Sequence, residues 1–160
     1  MTDDVPGHFL SRAVALGTLH RVTLVSPWVS LESGRAMSLA TALSVFVRRG
    51  VKVLLLSRPP ADSNPWHSAA VESLSAVPGA RVYLHPSLHA KFFVAEARTG
   101  TYAVIGSANL TVQGSTGREV GVALAGRSWG EEIIRDLLLL SQRLRHDEEA
   151  WAVHVEGGRG

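Results

Sequence analysis

Leu88-His89-Ala90-Lys91-Phe92-Phe93-Val94-Ala95-Glu96, followed by Thr101-Tyr102-Ala103-Val104-Ile105-Gly106-Ser107-Ala108-Asn109, decides how this chain is read. Both runs are apolar and rich in strand-forming residues, with Ala97-Arg98-Thr99-Gly100 between them, so they predict a β-hairpin with a turn of about four residues. A turn centred near Thr99 makes paired positions sum to about 198. It sets His89 opposite Asn109 and Lys91 opposite Ser107. Period-two alternation puts His89 and Lys91 on one face. A nucleophile, a cation and neutral hydrogen-bond donors then converge, which is the set a phosphoryl-transfer site needs. The arrangement depends on register, because a slip of one residue turns a whole strand's side chains to the other face. In that case the same residues form an ordinary polar strand end.

Outward from the hairpin the pattern alternates between strands and helices. Arg21 to Ser26 reads as a buried strand ending at Pro27-Trp28, and Gly34 to Arg49 has helical spacing of Met37, Ala40, Leu43 and Val47, with Gly50 as its stop. Val51 to Leu56 is a second strand. Asn64-Pro65 opens a helix to about Ala76, and Arg81 to Leu84 is a third strand. Arg118 to Leu124 continues the sheet beyond Asn109, with Glu119 on the face of Gly121 and Ala123. Ser128-Trp129-Gly130-Glu131 is a capping box for a last helix that buries Ile133, Ile134, Leu137, Leu138 and Leu144. The alternation predicts an α/β fold: a mixed sheet with helices on both faces and active groups where loops gather at the strand ends.

The chain has 160 residues and 46% hydrophobic content, which fits one domain with a real core. Residues 1–7 read as an N-terminal tail, 8–153 as the domain and 154–160 as a C-terminal tail. There are no cysteines, which removes disulfides and thiolate metal sites and favours a reducing compartment. The seven histidines show no HExxH or comparable ligand pair; His85 and His89 come nearest to a chelate. The site is therefore expected to need no metal and no cofactor. No apolar run reaches the length of a membrane span, and the expected location is the cytoplasm. A net charge of +2 leaves room for a local basic patch, and Arg35, Arg58, Arg98 and Arg118 fall near predicted loops.

His89-x-Lys91 with an acidic residue at Glu96, followed by Gly106-Ser107-x-Asn109, resembles the signature of the phospholipase D superfamily. Leu110-Thr111 is common after the asparagine, Glu119 falls where many members carry a glutamate, and Ser26-Pro27-Trp28 resembles an element that recurs at the end of the first strand. Two positions depart. Glu96 stands where the family has Asp, and Gly117 stands where an asparagine is often found. The resemblance covers roughly residues 8 to 150 and is specific within 88 to 119. It implies the same mixed α/β architecture.

The resemblance also implies roles. One histidine attacks phosphorus to give a phosphohistidine, and a second protonates the leaving oxygen and then activates water. Lys91, Ser107 and Asn109 would hold the non-bridging oxygens, and Glu119 would fix the tautomer of His89. Gly106, Trp28 and Arg118 would lie against the substrate. Glu96, displaced roughly 23 Å along a strand from His89 at about 3.3 Å per residue, would have a structural role only. No other His-x-Lys occurs in the chain, so one protomer carries half a site. Short members with one motif pair two subunits about a twofold axis, and they are mostly nucleases. The expectation is thus a homodimeric, metal-independent nuclease acting on DNA or RNA. A phospholipid or other phosphodiester hydrolase or transferase, and a non-catalytic nucleic-acid-binding subunit, remain the alternatives.

Overall fold

The computed structural model describes residues 4–116, 118–126 and 129–153. Seven strands form one sheet among them: β1 (Leu19–Val25), β2 (Lys52–Ser57), β3 (Ala80–Leu84), β4 (Phe92–Ala97), β5 (Gly100–Gly106), β6 (Gly121–Ala125) and β7 (Trp151–Val153). Their order is β6-β5-β4-β1-β2-β3-β7, with β1, β2 and β3 parallel and every other pairing antiparallel. The helices are α1 (Val5–Ala15), α2 (Leu39–Arg48), α3 (Pro65–Ser75), α4 (Val112–Thr116) and α5 (Trp129–Arg145).

Strand alternation builds two cores. Val22, Leu24, Leu55, Phe93 and Val104 point to one face and pack with Phe9 and Leu10 of α1, Phe46 of α2 and Leu74 of α3. Val25, Leu56, Phe92, Val94 and Ala103 point to the other, where Ile134 of α5 meets them. The mixed sheet with helices on both faces is as the sequence predicts. Coverage is unequal, since α5 is the one long helix on its side among the described residues.

The hairpin closes more tightly than the sequence suggested. Phe92 pairs with Ile105 and Ala97 with Gly100, so only Arg98 and Thr99 form the loop and the register moves by one residue. Gly100 permits this by entering β5 at φ +148°, a conformation that a side chain rarely adopts. Lys91 therefore lies across from Gly106, not Ser107, and the backbone N–H of Gly106 donates to the Lys91 carbonyl at 3.3 Å. His89 and Lys91 themselves precede β4.

Other boundaries differ too. Val5–Gly7 of the expected tail form the first turn of α1, because Asp4 accepts a hydrogen bond from Gly7 N–H at 3.0 Å and Pro6, at the start of a helix, gives up no intrahelical bond. The helix expected from Gly34 begins at Leu39, where Ser38 caps the Thr41 N–H; Gly34 takes φ +93° and turns the chain instead. Of the residues expected inside the last helix's core, Ile134 is buried, Ile133 is 37% exposed, and Leu137, Leu138 and Leu144 are partly buried. The Ser128 cap, Gly117 and residues 154–160 lie outside the described residues.

Candidate active site

Antiparallel pairing brings four chain segments to one edge of the sheet. β1 ends there at Val25, opposite Phe92 at the start of β4; β5 ends there at Gly106, opposite Gly121 at the start of β6. His89, Lys91, Ser107, Asn109 and Glu119 sit on the connections at this edge, and Gly106 is the last residue of β5.

His89 is exposed, and its ring makes no hydrogen bond among the described residues. Lys91 is half-buried and donates from Nζ to the His89 carbonyl at 3.1 Å, which ties the cation to the backbone of the histidine. Gly106 then joins the two halves of the motif through its bond to Lys91. It has to be glycine here: a Cβ would stand 2.4 Å from the Val120 carbonyl oxygen and 2.9 Å from Gly121 Cα, both backbone atoms.

Ser107 is held on three sides. Its N–H donates to the Val120 carbonyl at 3.0 Å, its Oγ accepts from the Val120 N–H at 3.2 Å, and its hydroxyl donates to the Glu119 carboxylate. Glu119 was expected on the His89 ring, but within one chain its carboxylate reaches the serine. The reason is the pairing of Gly106 with Gly121, which lays the residues just outside the two strands, Ser107 on one side and Glu119 and Val120 on the other, next to each other. Asn109 is anchored through its neighbour: Leu110 N–H donates to Ser26 Oγ at 2.9 Å, and the Leu110 carbonyl accepts from Ser30 N–H at 2.8 Å. The Asn109 Oδ1 is buried and accepts no hydrogen bond from the described residues. A buried acceptor left unpaired costs free energy, so this atom favours a donor from outside the described residues.

A supporting cluster lies behind the His89 loop. Arg58 Nε donates to the Leu88 carbonyl at 2.7 Å while its guanidinium lies 5.6 Å over the Trp28 ring. Trp28 meets the edge of His67 at 5.2 Å. His67 is fully buried; its Nδ1 accepts from Val29 N–H at 3.2 Å, which leaves the proton on Nε2 to donate to the Arg58 carbonyl at 2.9 Å. The sequence placed Arg58 near a predicted loop and Ser26 at the end of the first strand, without the contacts they make, and gave no role to His67. Contacts between segments 9 to 84 positions apart reveal them, although an arginine two positions after a predicted strand end was a usable signal. Arg118 is exposed near the same edge, and Glu96 lies at the far end of β4 beside Arg21 at 3.9 Å.

The described residues offer one group with metal-ligand spacing: His85, Asp147 and Glu149, with ligand atoms within 4.8 Å of one another. Ser87 N–H donates to Nδ1 of His85 at 3.2 Å, which puts the ring proton on Nε2, the atom facing Asp147 at 3.8 Å. That nitrogen presents a proton to the space between the carboxylates, where a cation would need a lone pair.

The family described as "Cardiolipin synthase, PLD-like domain" matches residues 19–137. No curated protein matches the sequence. Among solved structures, the phospholipase D family member Nuc from Salmonella typhimurium superposes with a TM-score of 0.67 at 12% identity, over 92% of this chain and 90% of that one. NucT from Helicobacter pylori gives 0.65 at 16% identity over 96% and 92%. Polyphosphate kinase from Porphyromonas gingivalis gives 0.67 at 19% identity, over 92% of this chain but 25% of that one.

Proposed function

This chain belongs to the phospholipase D-like family, and from that premise we propose that it is a nuclease that cleaves DNA or RNA phosphodiester bonds through a phosphohistidine at His89. The observation that carries the reading is the Gly106 N–H to Lys91 carbonyl bond, which joins the histidine–lysine segment and the serine–asparagine segment at one sheet edge. The nuclease reading over lipid chemistry rests on size. The domain alone spans nine-tenths of the chains of Nuc and NucT, and the short single-motif members that the sequence resembles are mostly nucleases.

Phosphodiesters resist attack because the anion repels nucleophiles and the leaving alkoxide is poor. A ring nitrogen of one His89 attacks phosphorus and forms the P–N bond while the P–O bond to the leaving group breaks; a second histidine gives its proton to the departing oxygen. That second histidine then takes a proton from water, whose oxygen attacks phosphorus, breaks the P–N bond and restores the first. Lys91, Ser107 and Asn109 hold the non-bridging oxygens. Arg58 and Trp28 keep the His89 loop in place.

The second histidine is His89 of another copy in a symmetric homodimer. Two features support this: the single motif, and the apolar edge beside the site, where Val120 and Val122 are 61% and 57% exposed and β6 has no outer neighbour among the described residues. No helix among the described residues is long and apolar enough to cross a membrane. Plasmid and single-stranded DNA incubated with the protein should be cut both with and without EDTA, since Lys91, Ser107 and Asn109 take the charge-stabilising role. Loss of cleavage in EDTA that magnesium restores would overturn the mechanism, and no cleavage of any nucleic acid would overturn the reading.

A further inference from the structure

The end of the sheet away from His89 carries a concave surface, a groove of about 610 Å³ between the first residues of the parallel strands and α5. It exists because α5 alone covers that face and leaves the strand starts open. Arg21, Lys52 and Arg81 stand on its floor, and Arg135 and Arg145 on its helical wall; Glu96 is the sole acidic residue lining it.

Arg135 pairs with Glu132 at 3.8 Å, but other cations of the groove have no ion-pair partner among the described residues. Arg21 and Lys52 are directly paired positions of β1 and β2, so two like charges sit side by side, an arrangement that costs stability unless something offsets it. Glu96 reaches Arg21 at 3.9 Å, whereas no ion pair reaches Lys52 or Arg81 among the described residues. The Nε of Arg145 is buried and donates to nothing, with its guanidinium 6.0 Å over the Tyr83 ring. The donor geometry of arginine matches phosphate oxygens, which it can bind in pairs. Leu54 and Leu138 give the groove an apolar stretch beside the cations, and Gly79, which turns the chain at φ +80°, lies on its rim.

We infer that this groove is a second phosphate-binding site, separate from the His89 site, that takes a nucleotide: the phosphate against Lys52, Arg81 and Arg145, the base against Leu54 and Leu138. The nucleotide is either free or part of a nucleic-acid strand. The choice of a nucleotide as the phosphate ester rests on the nuclease reading above; the anion site itself does not. The groove floor runs from the level of Val94 to that of Glu96, roughly 16 to 23 Å from His89 at about 3.3 Å per residue along β4 and the segment before it, so one mononucleotide does not reach both.

The test uses the full chain carrying His89→Ala, which removes turnover from the measurement. Backbone amide NMR shifts are followed on titration with adenosine monophosphate and, separately, with a short deoxythymidine oligonucleotide. Shifts at Lys52, Leu54, Gly79 and Arg81 are expected, with affinity weakened about tenfold or more in the added pair Lys52→Glu and Arg81→Glu. Both residues lie on the surface; the milder pair Lys52→Gln and Arg81→Gln should show a smaller loss in the same direction. Shifts with the monophosphate assign a free nucleotide, and shifts with the oligonucleotide alone assign a strand; either supports the site. Absence of shifts at those four amides with both probes, or equal affinity in both charge variants, overturns it. An inactive parent enzyme with an intact groove response would remove the nuclease reading and leave the phosphate site standing.

Discussion

At the scale of single residues, the two buried polar atoms of most consequence have opposite meanings. Asn109 Oδ1 is unpaired at the edge where the motif gathers, next to segments fixed by backbone bonds. The Tyr102 hydroxyl is also buried and unpaired, but it lies in the α1-side core, far from any reacting group. Burial pushes the Tyr102 phenol above its ordinary value, with the nearby Arg12 guanidinium opposing the shift in part. An acid whose folded pKa is raised contributes stability that is complete below the unfolded value and is lost as pH rises through the folded one. The protein should therefore lose stability above about pH 10, where a free phenol ionises. Tyr102→Phe should flatten that alkaline loss, and near neutrality it should change stability by no more than about 1 kcal/mol, because the hydroxyl it removes has no partner. Thermal unfolding of both proteins across the alkaline range checks this; identical profiles would show that Tyr102 ionises freely.

At the scale of elements, Glu96 and Arg21 link β4 to β1 at the end of the sheet away from His89. Glu96→Asp should be nearly neutral for catalysis, while Glu96→Gln should lower stability by about 1 kcal/mol, the upper range for a partly exposed pair. Activity and unfolding measured on the same samples separate the two effects. A catalytic loss as deep as that of a His89 variant, with the fold retained, would contradict the placement. Much of this was readable in the sequence. Alternation of Phe92, Val94 and Ala103 against Phe93, Ala95 and Val104 carries the hairpin and both cores, and residue spacing alone put the histidine–lysine and serine–asparagine segments at the same strand ends. The register was misread by one because a turn's length depends on backbone conformation, here the positive φ of Gly100, and not on how polar the intervening residues are. The helix α1 was missed because Pro6 and Gly7 look like breakers, although Asp4 caps them. The strap from Arg58 to Leu88 and the anchoring of Leu110 by Ser26 are contacts between distant segments, which local pattern does not encode.

At the scale of the whole molecule, the sheet has two unlike ends. One collects the motif and an exposed apolar edge strand; the other collects the cations under α5. Pairing two copies through the first end would set the two His89 side chains toward one phosphate, as an isologous interface requires. Inactive His89→Ala mixed with the parent protein under subunit exchange should then lower activity in proportion to the loss of parent homodimers, since a mixed dimer has one histidine for two tasks. A fully active monomer at working concentration would refute the pairing. Everything in the account passes through the His89 ring, so the most direct measurement is the rate at which the His89→Ala protein, with its fold verified, cleaves the DNA that the parent cleaves. The account predicts a loss of about a thousandfold or more, the scale expected when a covalent nucleophile is removed; a rate within about tenfold of the parent would contradict it.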